Sequence, residues 1–282
     1  MVHPSARKER ARRGWEVPGP LPPGDQGDPH LLPAVDESLD TLCGHWCLFQ
    51  AQRGHRWSTD DLLAAWYTCH VLQRHQIDPT HLLELGSGLG TVSFLMAWRY
   101  PSLVACGYEV QEDSLRRARR SARWNGISHR VHFHRGDLRH LPQEVAPSPL
   151  IVGTPPYWDL RAGRLSPSSQ KVECRFEAHS RVEDYVATAA RLLTPDGLFG
   201  LVYDGRQKHR LYDAAREVGL VRVGAREVIS REGDPPLLVV SMWALRGENV
   251  DEDPPLTLRL KNNDRSDEFK KIRGEMGLPP GT

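Results

Sequence analysis

The sequence predicts an α/β protein built on a doubly wound, mostly parallel sheet with helices on both faces. Three observations predict it. Short apolar runs ending at glycine or an acid alternate with helical stretches of roughly 10–15 residues, the length that returns a chain to start a parallel strand. A glycine-rich turn, Gly86-Ser87-Gly88-Leu89-Gly90-Thr91, joins the first such run to its helix. The last two runs, 221–229 and 237–245, have no helix between them, so they form a hairpin and the final strand is antiparallel.

The elements follow in order. Asp60 to Gln73 reads as a helix entered through Ser58-Thr59, residues suited to capping. His81 to Leu85 is a buried strand stopped by glycine, and Thr91 to Arg99 is helical. Leu103 to Val110 is a strand ending in an acid, and Glu112 to Trp124 is a helix with a strongly basic face. Arg130 to His134 is a strand followed by Gly136-Asp137, and Pro149 to Gly153 is a strand ending at a double proline. Val182 to Leu193 is a helix, Leu198 to Tyr203 a strand and Lys208 to Val218 a helix. With the terminal hairpin this gives seven strands.

Residues 1–35, rich in Arg, Pro and Gly without hydrophobic period, read as a disordered basic arm. Residues 36–245 form the folded domain. Residues 246–282 read as a polar extension in which Phe269, Ile272 and Met276 stand at helical spacing, as a short helix packing back on the body requires. No apolar run reaches the roughly 18–20 residues that span a bilayer. The basic start is followed by no apolar stretch, which argues against a secretory signal. A net charge of +1 excludes a global basic field for nucleic acid. Five scattered cysteines suggest no disulfide framework and fit a reducing, cytoplasmic setting. Cys43-Gly44-His45-Trp46-Cys47 resembles part of a metal cluster, but a closed zinc site needs about four ligands and no matching second pair exists. Thiols packed at the core edge are the better reading, and no metal is expected. Oligomeric state is not legible, and a monomer is compatible with everything above.

The chemistry gathers at strand ends, where such sheets bind ligands. Glycines let the backbone turn sharply and approach a ligand, and the following helix directs free amides at it. The spacing Gly-x-Gly-x-Gly differs from that of dinucleotide sites, and Glu84 just before it suits a cofactor with a positive amine and sulfonium better than a pyrophosphate. Glu109, at the next strand end, can accept hydrogen bonds from two ribose hydroxyls. Asp137 can accept from an adenine amino group while Leu138 covers the ring. Singly, each acid is an ordinary loop residue. At three successive strand ends in register with a glycine loop, they imply an adenosine-containing cofactor.

Glu84 to Gly90, with Thr91, Glu109, Asp137-Leu138 and the run Gly153-Thr154-Pro155-Pro156-Tyr157, resemble the successive motifs of the class I S-adenosylmethionine-dependent methyltransferases, over roughly residues 48–245. The resemblance implies a Rossmann-like fold, S-adenosylmethionine as cofactor and N-methyl transfer as the activity. Four other Pro-Pro pairs exist, at 22–23, 235–236, 254–255 and 279–280, so position and company alone single out Pro155-Pro156. The run resembles the Asn/Asp-Pro-Pro-Tyr/Phe motif of amino-group methyltransferases. It implies that Thr154 accepts from the target amine and contacts the cofactor, that Pro155 supplies a carbonyl, that Pro156 stiffens the loop, and that Tyr157 stacks on a flat target, with Trp158 a second stacking candidate. Thr154 departs from that motif: a hydroxyl accepts one hydrogen bond but must also place its own hydrogen.

Within this group the segment Phe49 to Leu63, containing Arg53-Gly54-His55-Arg56-Trp57-Ser58-Thr59-Asp60-Asp61, and the run Arg175-Phe176-Glu177 are similar to the family that methylates the exocyclic amine of a tRNA anticodon-loop adenine. That likeness implies a tRNA or other RNA partner, with Asp60 and Arg175 touching the substrate and the loop 159–173 at its mouth. Arg116, Arg117, Arg119, Arg120 and Arg123 on one helix are suited to phosphates or to solvent. Two other readings stay open: methylation of a protein glutamine amide, by enzymes that share the Pro-Pro-Tyr motif, and a small-molecule methyltransferase or non-catalytic cofactor binder, which the Thr154 departure allows.

Overall fold

The computed structural model describes residues 15–54, 56–157 and 180–281. The basic stretch Arg7 to Arg13, the loop 159–173, Trp158 and Arg175 lie outside these residues. A hairpin, β1 (Glu37–Thr41) and β2 (Cys47–Ala51), precedes the alternating body. The body runs α1 (Thr59–Arg74), β3 (His81–Leu85), α2 (Thr91–Arg99), β4 (Val104–Glu109), α3 (Glu112–Trp124), β5 (Val131–Arg135) and β6 (Ser148–Gly153). After the undescribed stretch come α4 (Val182–Leu192), β7 (Leu193–Asp204), α5 (Lys208–Glu217), β8 (Val221–Arg231), β9 (Pro236–Ala244), β10 (Asp253–Arg259) and α6 (Asp267–Glu275).

The sheet order is β10-β8-β9-β7-β6-β3-β4-β5. Every neighbouring pair is parallel except the two made by β9. The sequence direction reverses between β3 and β6, so the crevice of the switch point opens there. β3 is buried along Leu82–Leu85, as a strand covered on both faces must be. Its residues feed two cores. Leu82 joins α1, α2 and α6 side chains on one face, and Leu83 and Leu85 join α4 and α5 on the other. In α2 every residue from Thr91 to Ala97 is buried, five of the seven being apolar, so the helix sits inside the layer.

Two corrections to the sequence reading concern the ends. The extension beyond residue 246 contributes an eighth strand, β10, parallel to β8 at the sheet edge. Pro254-Pro255 hid it, because proline removes a ladder donor and is confined to edges and bulges. Here the register shifts across those two residues. The α6 helix buries Phe269 and Ile272, and Met276 is buried just past its end.

Residues 15–35 are not a free arm: they lie along α3. Gly24 N donates to Trp124 O at 3.2 Å, and Arg123 pairs with Asp28 at 2.5 Å. Arg120 donates to the carbonyls of His30 (2.8 Å) and Leu32 (2.6 Å) and sits 4.1 Å over the Phe49 ring. Arg117 Nε meets Glu37 Oε1 at 3.0 Å with both residues buried. Asn125 exchanges two hydrogen bonds with the Cys47 backbone, at 2.9 and 2.8 Å. Arg117 and Arg120 are therefore occupied by the chain's own preceding segment, while Arg123, though paired with Asp28, keeps 52% of its side chain in solvent.

Candidate active site

A cavity of about 580 Å³ opens over the carboxyl ends of the central strands, a size that suits a nucleoside-bearing ligand. Its floor is the turn after β3. Gly86 and Gly88 have φ of +61° and +52°, the left-handed region that glycine enters without strain. A Cβ on Gly86 would collide with the Tyr185 hydroxyl on α4, whereas one on Gly88 would meet nothing within 4 Å. The loop thus presents bare backbone to the cavity at Gly88. Thr91 lines the same wall at the start of α2.

Glu109, buried at the end of β4, accepts from Gly88 N and Gln111 N, each at 2.7 Å, one through each carboxylate oxygen. It thereby braces the glycine loop, and the residue stands at the cavity wall. Ser87 Oγ is buried without a hydrogen-bond partner. Asp137 follows β5, and Arg139 grips both of its oxygens, with contacts of 2.5 to 3.2 Å. That guanidinium, against the smaller opposing effect of burial, holds the Asp137 carboxyl below its ordinary value. Leu138 is buried beside it and lines the cavity. Bare backbone at Gly88, a buried carboxylate beside it and the orphaned Ser87 hydroxyl fit an S-adenosylmethionine cradle. Gly88, Glu109, Asp137 and Leu138 would hold the cofactor, which brings an electron-poor methyl group bonded to sulfur.

Two residues expected at the cofactor lie elsewhere. Glu84 is not among the residues lining the cavity. It is 2% exposed, and its Oε2 accepts from Ser93 N at 3.0 Å and from the Ser93 hydroxyl. It therefore caps α2 from the preceding strand, satisfying an amide that the helix leaves unpaired. Burial raises its carboxyl to about 7, against the opposing pull of the Ser93 bonds. Gly90 also stands off the cavity. It caps α2 at φ +75°, where a Cβ would strike the Phe133 ring.

The run Thr154 to Tyr157 lines the cavity directly after β6. Leu85 and Gly153 pair in register across β3 and β6, so the glycine loop and this run leave the sheet side by side. The Tyr157 hydroxyl donates to Asp60 Oδ2 at 3.0 Å, and its ring meets Tyr203 edge-on at 5.8 Å. Gln207 Nε2 donates to the Tyr157 carbonyl at 2.8 Å. Burial and the Asp60 carboxylate push the phenol well above its usual range, so it remains a donor. Asp60, also accepting from the Ser58 hydroxyl, lines the cavity in the first turn of α1. Asp61 turns inward and accepts from Ser58 N at 3.0 Å, with burial first and the Asp60 charge second raising its carboxyl well above the ordinary value.

Sequence reasoning missed Tyr185, Asp204 and Arg206. Asp204 ends β7, is 3% exposed, and holds Arg206 at the cavity wall through bonds of 2.5 to 3.0 Å. The signal was available: Asp204 is another acid at a parallel strand end, found by the same rule as Glu109. Tyr185 carried no signal, because its importance lies in the space beneath Gly86. The buried thiols of Cys43 and Cys47 pack in the core, and the described residues hold no group of three or more His, Cys, Asp or Glu side chains able to bind a metal.

Residues 78–153 match the family described as a methyltransferase domain. The chain is 27% identical over 182 residues to the tRNA1(Val) (adenine(37)-N6)-methyltransferase of Porphyromonas gingivalis, covering 62% of this chain and 70% of that one. It is 27% identical over 154 residues to a ribosomal protein uL3 glutamine methyltransferase of Bradyrhizobium diazoefficiens, covering 52% and 47%. In fold it is similar to the crystal structure of a predicted O-methyltransferase from Agrobacterium tumefaciens, with a TM-score of 0.60 at 14% identity over 78% of this chain and 97% of that one.

Proposed function

We propose that this chain, an S-adenosylmethionine-dependent methyltransferase of class I architecture, methylates the exocyclic amino nitrogen of an adenine in tRNA. The observation that carries the reading is the register of Leu85 with Gly153, which sets the cofactor loop beside the Thr154-Pro155-Pro156-Tyr157 run. An exocyclic amine is a weak nucleophile because its lone pair is delocalised into the ring. Thr154 Oγ1 and the Pro155 carbonyl would take its two N–H bonds and favour the pyramidal, nucleophilic form. The prolines bring no competing N–H donors. Tyr157, held by Asp60, would stack on the base and set the line of attack. Positioning and fixed dipoles would then supply most of the rate. The tRNA named for the Porphyromonas relative supplies the acceptor class.

The uL3 glutamine methyltransferase supports a second reading, since a side-chain amide is also flat and weakly nucleophilic. Incubating the protein with methyl-labelled cofactor and a cell extract, then digesting with ribonuclease or protease, separates the two. Label released by ribonuclease as N6-methyladenosine supports the proposal. Label in protein as N-methylglutamine overturns it, and cofactor binding with no labelled product marks a non-catalytic binder. On the tRNA reading the enzyme works in the cytoplasm. No helix among the described residues is long and apolar enough to cross a membrane.

A further inference from the structure

The cavity does not end at Tyr157. It continues over the outer strands to residues of the C-terminal extension, among them Arg259, Arg265 and Arg273, with Arg56 and Arg206 also on its wall. β8 and β10 run parallel to the central strands, so their carboxyl ends rise on the catalytic side of the sheet. Those ends are both arginines. Arg231 and Arg259 are direct cross-strand partners, and Arg259 bridges to Arg265 in the turn that follows. Like charges placed directly opposite are destabilising. Burial, and next the Arg259 charge, hold the Arg265 guanidinium below its ordinary value.

The side-chain hydrogen bonds that orient Arg231 and Arg259 go to neutral acceptors. Arg231 Nη2 donates to Asn263 Oδ1 at 2.9 Å, and Arg259 Nη1 to Asn263 O at 2.7 Å. Such bonds fix a guanidinium in space while leaving its charge in place. The neighbouring acids serve other groups: Glu232 accepts from Lys261 N at 3.4 Å, and Glu268 pairs with Arg226 at 2.7 Å. On α3, by contrast, Arg117 and Arg123 reach Glu37 and Asp28.

We propose that the extension is an RNA-binding device: Arg231 and Arg259, side by side at the ends of β8 and β10, form a phosphate clamp that holds the strand flanking the target base. This rests on the reading that the acceptor is RNA. Guanidinium forks match phosphate oxygens bidentately, and an adjacent pair of them beside a base-sized cavity matches the repeated charge of a nucleic-acid backbone. A glutamine-bearing loop offers no such repeat. The strand β10 thereby gains a purpose, bringing charge to the catalytic edge of a chain whose net charge is only +1.

The test is binding of a tRNA transcript to the full-length protein by fluorescence anisotropy across a salt series, for wild type, Arg231→Ala/Arg259→Ala and Arg231→Lys/Arg259→Lys. Cofactor affinity is measured in parallel by calorimetry. The alanine pair should weaken RNA binding at least about tenfold at roughly 0.1 M salt and lower the log–log salt slope by about 1.5 to 2. Cofactor affinity should stay within about twofold, and the lysine pair, which keeps the charge, should recover most of the loss. An unchanged affinity and slope in the alanine pair, with wild type methylating RNA, would overturn the clamp and leave the adenine reading standing. Loss of RNA and cofactor binding together, unrelieved by lysine, would show a structural role and overturn it as well. Wild type that ignores RNA but methylates a glutamine peptide would remove the premise.

Discussion

The hydroxyl of Tyr157 donates to Oδ2 of Asp60 across 3.0 Å, joining the loop after β6 to the first turn of α1. The bond couples residues 97 positions apart and fixes the plane of the ring proposed to stack on the substrate. Tyr157→Phe should lower turnover about tenfold, the equivalent of one buried hydrogen bond. Asp60→Ala should do the same, and the double variant should lose little more, because both singles remove one interaction. Steady-state kinetics on the four proteins of this cycle decide it, and additive losses would separate the two residues.

Thr154 stands where the amino-group motif has a carboxamide or carboxylate. If its hydroxyl accepts from the target amine, Thr154→Ala should cut kcat by about tenfold to a hundredfold. Cofactor Kd should move by less than about twofold. Thr154→Asn restores a stronger acceptor and should match or exceed wild type. Single-turnover rates with saturating cofactor isolate this step, and wild-type rates in the alanine variant would refute the role.

What the sequence disclosed and what it hid divide along physical lines. Strands buried on both faces, such as β3, and helices with glycine or serine at their entrances were legible because period and punctuation are local. So was Glu109, since an acid at a parallel strand end faces the ligand crevice. Glu84 was misread because its side chain can turn either way: only the fold shows that Ser93 captures it. On α3, Arg117 and Arg120 were misread for the reverse reason, since their partner Glu37 lies in a segment without period. Arg259 was invisible until β10 was placed, and Pro254-Pro255 argued against that strand.

Glu109 braces Gly88 N and, on the proposed reading, would also offer acceptors to the cofactor. Glu109→Ala should therefore weaken cofactor binding by at least about a hundredfold, since hydrogen bonds to a charged acceptor contribute roughly 1.5–3 kcal/mol each. Glu109→Gln keeps one acceptor and should fall between. Calorimetric titration with S-adenosylhomocysteine measures this without requiring the methyl acceptor, and a twofold change would remove Glu109 from the cradle.

The buried Glu37 holds Arg117 and Arg120 together with the segment that leads into β1. Burial works to raise its carboxyl, but Arg120, the Ala34 amide and Arg117 outweigh it and hold the group below its ordinary value. Glu37→Ala would strand a buried guanidinium, at a cost of about 3–5 kcal/mol. Urea unfolding should show that loss in midpoint, and limited proteolysis should cut earlier within residues 15–35. A loss under about 1 kcal/mol would mean that water replaces the carboxylate.

Glu84 makes the opposite contribution to stability against pH. Its carboxyl rises from an ordinary 4.5 to about 7 on folding, chiefly through burial. Between those values the folded chain holds a proton that the unfolded chain has released. Stability from this group is therefore full below about pH 4.5 and declines as pH climbs toward 7, by about 3 kcal/mol in all. Glu84→Gln keeps an acceptor for the Ser93 amide and carries no charge. The variant should match wild type near pH 4.5 and exceed it increasingly up to pH 7, with the difference constant above. Urea midpoints of the cofactor-free proteins at half-unit steps test this, and a wild type that gained on the variant with rising pH would show that the buried carboxylate is held in its charged form.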